Sequence, residues 1–220
     1  MRTITAVVPS IPFEKLAKTD VPAKAVSRDA VIRLYNKGII KGQGNNPGTF
    51  ALKSPTNRAE VVTMFGRLLT LPIPSSSSVR FSDVRNDVWY KDALFAALSR
   101  GLVKGYPDGT FKGGKQISVV EMLKLTAIAS KLSDASREKN GATWYAGYLT
   151  DLNNAGMLKG ISLPRLDAPA TREFVFMLLA RVDDYREKKQ AEQDAIYDRR
   201  LTEQQQKEHD QKVLDSHRQQ

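Results

Sequence analysis

The chain has 220 residues, 41% of them apolar, with no cysteine and a net charge of +10. That length supports one larger core or several small units. The missing cysteines exclude a disulfide scaffold and cysteine metal sites, and no apolar run approaches the ~20 residues that cross a bilayer. The charge is uneven: residues 1–180 hold 25 of the 34 lysines and arginines against 14 of the 24 acids, while residues 181–220 hold 9 against 10. The basic character belongs to the part expected to fold, so the partner is expected to be anionic. On charge alone, nucleic acid, an acidic glycan and a membrane surface stay open.

Residues 1–19 form a lead-in whose start, MRTITAVVPSIPFEKL, has one arginine and a short apolar run. This is too little for a signal peptide. The chain is therefore either cytoplasmic or a piece whose signal lies elsewhere. From residue 20 the sequence repeats itself. An offset of 63 pairs Asp20 with Asp83, Gly38 with Gly101 and Gly42 with Gly105. A two-residue difference in loop length then brings Gly48-Thr49-Phe50 onto Gly109-Thr110-Phe111, and Glu60 onto Glu121. A third copy sets Trp144 on Trp89, Gly156 on Gly101, Gly160 on Gly105 and Glu173 on Glu121. It has lost Gly-Thr-Phe.

Each copy reads as two helices around a loop. In the first helices the apolar residues fall at helical spacing: Ala30, Val31, Leu34 and Tyr35; Ala93, Leu94, Ala97 and Leu98; Tyr148, Leu149 and Leu152. Each stops at a glycine (Gly38, Gly101, Gly156), which takes a left-handed cap without steric cost. The second helices follow Glu60, Glu121 and Glu173 and are apolar on several faces, so they are expected to be buried. Three buried helices pack most simply on one another. The fold expected is all-α, with three helix–loop–helix repeats in a pseudo-threefold arrangement around a central three-helix bundle. The repeats span residues 20–72, 79–132 and 139–182. The Pro- and Ser-rich stretch 71–80 links the first two and the stretch 133–143 the second and third. Residues 183–220 are a charged tail, helical or disordered, or else a stem for a partner.

The stretch FSDVRNDVWYKDALFAALSRGLVKGYPDGTF, with SPTNRAEVVTMFGRLL, closely resembles the S-layer homology repeat. The resemblance covers about residues 20–182. It implies a three-pronged helical domain on the bacterial cell surface, in the wall or S-layer, secreted by a signal absent from this chain. It implies non-covalent anchoring of an S-layer or S-layer-associated protein to a secondary cell-wall polysaccharide bearing pyruvylated amino sugars. In the family, grooves between repeats hold the glycan. The signature arginine faces the pyruvate carboxylate, and loop residues with an aspartate address the sugar.

Carried onto this chain, the glycan-binding candidates are Arg58, Asp20, Asp83, Trp89, Gly109, Thr110, Trp144 and Arg172. Asn57 to Glu60 and Ser118 to Glu121 both read as capping boxes, which accounts for the two glutamates. Capping does not need Arg58, and a cation at a helix start opposes the helix dipole, so Arg58 is expected to hold an external anion. Val119 stands at that position in the second copy, where a site relying on arginine should be weak. In the third copy Thr171 occupies it and the arginine moves on by one, to Arg172, about 100° around a helix and so pointing elsewhere unless the helix start frays. Trp89 and Trp144 either pack in the core or stack a sugar face; Val26 replaces them in the first copy. Asp20 and Asp83 either cap a turn or accept sugar hydroxyls. Asp108-Gly109 is a strong turn pair, and Phe111 is expected to pin the turn, which shapes a groove wall.

An enzyme is not expected: the two histidines, His209 and His217, lie in the tail, and there is no phosphate loop or metal cluster. No cofactor is expected. Nucleic-acid binding would need a basic stripe, whereas the cations here are scattered over all three repeats. The remaining alternative is a structural or protein-interaction scaffold whose glycan sites have decayed.

Overall fold

A computed structural model describes residues 2–44, 46–75, 81–134 and 143–218, with side chains to residue 212. The stretches 76–80 and 135–142, which take in much of both linkers and the expected starts of the second and third repeats, lie outside the described residues, as does the side chain of His217. The chain is all-α. Among the described residues six helices follow a 3-10 turn at Phe13–Lys15: α1 (Arg28–Asn36), α2 (Arg58–Leu68), α3 (Lys91–Ser99), α4 (Val119–Ala129), α5 (Ala146–Asn154) and α6 (Arg172–Arg218). Among the described residues β pairing is limited to isolated bridges, and no helix is long and apolar enough to cross a membrane.

The short helices α1, α3 and α5 end alike. Gly38, Gly101 and Gly156 have φ of +70°, +66° and +70°. The next residue's N–H reaches back five positions, Ile39 to Leu34, Leu102 to Ala97 and Met157 to Leu152, satisfying carbonyls the helix would leave open. Their buried faces (Val31, Leu34 and Tyr35; Ala93, Leu94 and Ala97; Tyr148 and Leu152) are those the sequence spacing marks. The longer helices α2, α4 and the start of α6 are the more deeply buried. Val61, Val119, Met122, Phe176, Leu178 and Leu179 are fully inside, as expected of helices without a polar face.

The loops that enter these three helices close on one another. The Thr56 N–H donates to Ala170 O (3.0 Å), the Ala170 N–H to Ile117 O (2.8 Å) and the Ile117 N–H to Thr56 O (2.9 Å). Two residues on, the Arg58, Val119 and Arg172 N–H groups donate to the Lys115, Ala168 and Ser54 carbonyls. The first four amides of a helix have no partner within it, and here the neighbouring loop supplies one.

Residues 1–19 are not a separate lead-in. Phe13 is buried against Tyr35 and Phe50, with ring centroids 6.1 and 5.6 Å away. It takes the place that Phe81 holds against Phe111 in the second helix pair (5.9 Å). Ahead of it, Ile4 donates to Leu71 O and Val7 to Gly38 O. A side chain at Gly38 would strike the Val7 carbonyl carbon, 2.3 Å from its Cβ.

The chain divides into two compact units at Asp183/Asp184. Within the first, Asp183 pairs with Arg33 (3.3 Å) and Lys37 (2.7 Å), tying α1 to α6. The second is a solvated helix with side-chain pairs one turn apart, Lys189–Glu192 (2.8 Å) and Gln190–Asp194 (2.8 Å).

Candidate functional site: two corresponding grooves

The helix caps fix the register of the site. Asn57 Oδ1 accepts from the Glu60 N–H and Glu60 Oε2 from the Asn57 N–H (both 2.9 Å). Ser118 and Glu121 form the same box at α4. At α6, Thr171 Oγ1 accepts from the Phe174 N–H (3.3 Å), so Thr171 is the cap and Arg172 the first helical residue. This corrects two expectations. Arg172, not Thr171, corresponds to Arg58 and Val119, and Phe174, not Glu173, corresponds to Glu60 and Glu121. The cap residue sets the register, and the third loop is one residue longer than an alignment on glutamate assumes. Glu173 instead accepts from Ser27 Oγ (2.7 Å).

Both arginines reach into the next helix pair. Arg58 donates from Nε to Phe111 O (3.1 Å) and from Nη2 to Lys104 O (3.2 Å), and its Nη1 lies 3.7 Å from Glu121 Oε1. Arg172 donates from Nε to Phe50 O (2.7 Å) and from Nη1 to Glu60 Oε1 (3.3 Å). They are 9% and 4% exposed. Burial lowers the pKa of Arg172, an effect that Glu60 and Asp20 oppose. A guanidinium stays charged under such a shift. At the third junction Val119 stands where the arginine would be and Phe174 where its glutamate would be. The two halves of the pair are lost together.

Above each arginine lies a cavity. Groove 1, about 530 Å³, is lined by Arg172, Glu60, Lys41, Gln43, Arg67 and Trp89 among others. Groove 2, about 260 Å³, is lined by Arg58, Glu121, Lys104, Tyr106, Lys124 and Trp144 among others. Each draws on all three helix pairs. Each sets three cations and one carboxylate beside an indole. The position of the two tryptophans is Val26 at the third junction, although Lys159 and Arg181 remain there.

Four of the eight candidates therefore line a groove: Arg58 and Trp144 in one, Arg172 and Trp89 in the other. The other four are placed elsewhere. Asp20 accepts from the Phe50 and Ala51 N–H groups (2.7 and 2.8 Å), and Asp83 from those of Phe111 and Lys112 (2.8 and 2.7 Å). Ala51 and Lys112 have φ of +50° and +55°, so each carboxylate holds a strained loop residue in place. Gly109 (φ +77°) and Thr110 form the turn, where Thr110 Oγ1 donates to Asp108 Oδ1 (2.5 Å). Of the expected loop glycines, Gly105 owes its identity to packing instead: its Cβ would lie 2.1 Å from the Phe81 ring.

Sequence reasoning missed Lys41, Lys104, Arg67 and Lys124. The two lysines recur at one repeat position, and the other two interrupt apolar helices. Both signals are visible before folding, but neither says which cavity a side chain enters. Among the described residues no cluster of three or more histidines or acids could hold a metal. The grooves offer charge and flat apolar surface, which is equipment for binding.

A helix pair, a glycine-capped loop and a buried helix, repeated around such grooves, define a modular binding fold. Residues 80–118 match the family model of the S-layer homology domain. The chain carries an S-layer homology domain. Its relatives are surface-layer proteins. It is 30% identical over 166 residues to the "Surface-layer 125 kDa protein" of Lysinibacillus sphaericus, covering 70% of this chain and 14% of that protein. It is 35% identical over 113 residues to the "S-layer protein sap" of Bacillus anthracis, covering 51% and 13%. A third, "Cell surface glycoprotein 1" of Acetivibrio thermocellus, is 30% identical over 135 residues, covering 54% and 6%. The chain thus spans a small fraction of the length of these relatives.

Proposed function

We propose that this chain sits at the bacterial cell surface and anchors an S-layer or S-layer-associated protein to the cell wall. It does so by binding an anionic, pyruvylated secondary cell-wall polysaccharide in grooves 1 and 2. One observation carries this reading: an arginine, a lysine, a glutamate and a tryptophan at corresponding positions are assembled twice, each set with one further cation, and the arginine, glutamate and tryptophan are lost together at the third junction. A packing requirement alone would have no reason to remove the exposed tryptophan with the buried pair. The cations suit the acid groups of the polymer, and the indole offers a flat apolar face to a sugar ring.

The test is co-sedimentation with wall sacculi, carried out with the polysaccharide intact and with it chemically stripped. The variants are Trp89→Ala, Trp144→Ala and the double variant. These remove no buried charge, so they separate binding from folding better than Arg58→Ala. Binding that needs the polysaccharide and falls in the double variant is expected. Equal binding to stripped walls would overturn the proposal.

The burial of both guanidiniums favours a second reading, a protein-interaction scaffold with decayed glycan sites. In that case the double variant would sediment with walls as the wild type does.

A further inference from the structure

The segment before α1 adds a cavity that the repeat itself does not contain. It is fastened at Val7, whose N–H donates to Gly38 O (3.1 Å), and at Phe13, whose N–H donates to Asn36 Oδ1 (2.9 Å). Between those points the chain runs Val8-Pro9-Ser10-Ile11-Pro12, and its prolines each lack an N–H to bond the surface below. A cavity of about 290 Å³ lies here, bounded by Val7, Pro9, Ser10 and Ile11 on one side and by Tyr35, Ile40, Lys41, Gly42, Gly44 and Pro47 on the other. Ile40, Lys41, Gly42 and Gly44 line this cavity and groove 1 alike. The two cavities meet along one loop, and two glycines keep that stretch of loop low. Val7 and Ile11 are 63% and 47% exposed.

We propose that this cavity is a second glycan subsite, which takes the sugar unit next to the one held in groove 1. The inference rests on the glycan reading of groove 1. Its occupant is argued from continuity, since the two cavities share Ile40, Lys41, Gly42 and Gly44 and a polymer that leaves groove 1 across this stretch enters this space. The walls suit an acylated amino sugar. Val7, Pro9 and Ile11 meet its ring C–H face and acyl methyl, and Lys41 stands between the two subsites, in reach of an acid on either unit.

The experiment uses the whole chain and fragments of wall polysaccharide fractionated by length, with affinity measured by calorimetry. Wild type should bind a fragment of two units about tenfold more tightly than one of a single unit, the increment of one further good contact. In Val7→Ser/Ile11→Ser, substitutions of exposed side chains that leave the anchoring amides intact, single-unit affinity should stay unchanged while the length gain drops below about threefold. A double variant that keeps the full gain, or a wild type with no gain from length, overturns the subsite. A change in self-association of the double variant without loss of the length gain also overturns it and assigns the cavity to a second copy. If no fragment of any length binds wild type, the groove 1 reading fails first. That outcome is told apart by Trp89→Ala, which would then change nothing.

Discussion

Grooves 1 and 2 share an arginine, a lysine, a glutamate and a tryptophan at corresponding positions and differ in their third cation, Arg67 or Lys124, and in what covers them. The loop of groove 1 is two residues longer and carries Gln43 where groove 2 has Tyr106; both residues donate their N–H to the equivalent threonine, Thr49 or Thr110. Tyr106 lies over the Arg58 guanidinium (5.0 Å) and accepts from Lys115 Nζ at its hydroxyl (3.1 Å). Lys124 sits 5.4 Å from the centre of the Trp144 ring. In groove 1 Trp89 is 66% exposed, and the cavity is about twice as large. A frame of arginine, glutamate and indole is held constant while cover residues set how much of it a ligand can reach. Groove 1 falls within the 300–1,000 Å³ usual for small-molecule sites, and groove 2 just below it.

The frame itself should give the largest effects. Arg172→Ala is expected to cost about 3 kcal/mol of stability, because it leaves Glu60 and the Phe50 carbonyl without their partner. Arg58→Ala should cost somewhat less, its contacts being longer. Denaturant titration checks both, and losses below about 0.5 kcal/mol, as for a surface change, would show that neither arginine clamps its neighbour. Next come the loop clamps. Asp83→Ala and Asp20→Ala should each cost about 2 kcal/mol by stranding two amide donors, with equal values if the loops are held alike.

The comparison of the two covers is read by binding. Trp89→Ala should weaken polysaccharide retention about tenfold and Trp144→Ala less than threefold, since Lys124 already occupies that ring face. The reverse order would make groove 2 the principal site.

The smallest effect is in pH. Hydrogen bonds from Lys112 and then Thr110 lower the Asp108 pKa to about 2, below the usual carboxylate value near 3.9. The folded form favours the ionised acid, so its contribution is complete above about pH 4 and is lost as pH falls through about 2. Asn46 makes the corresponding turn in groove 1, accepting from the Gly48 N–H (2.9 Å), and does not titrate. Amide exchange at Thr110 should therefore rise between pH 4 and 2 while that at Gly48 does not. Parallel behaviour would show that the acid does not hold the turn.

Most of the frame was legible in the sequence. The glycine-capped helices, the buried second helices and the two capping boxes follow from local rules that act within a few residues. Trp89 and Trp144 were placed at their helix starts, with packing and stacking left open. The misreading of Arg172 shows the limit. Glutamate was taken as the marker of register, whereas the hydroxyl of Thr171 caps the helix one residue later than that marker implies. Asp20 and Asp83 could be read as caps or as ligands because a carboxylate pattern looks the same in both roles. What separates them is the left-handed backbone at Ala51 and Lys112, which only the folded loop displays. The part played by Phe13 was hidden for a different reason: it replaces an aromatic from a position outside the repeat.

The backbone hydrogen bonds linking Thr56, Ala170 and Ile117 have a consequence for how the chain is made. An open stack of repeats contacts only its sequence neighbours and can fold from one end. Here the Thr56 amide waits for a carbonyl 114 residues downstream, so all but the last 13 residues of the 183-residue folded unit leave the ribosome before the ring can close. Such long-range closure slows folding and exposes unfinished surfaces. A nascent or clipped chain lacking its third helix pair has no arginine–glutamate frame in groove 1, no tryptophan in groove 2 and no closed ring, so the binding proposed for the grooves would belong to finished molecules.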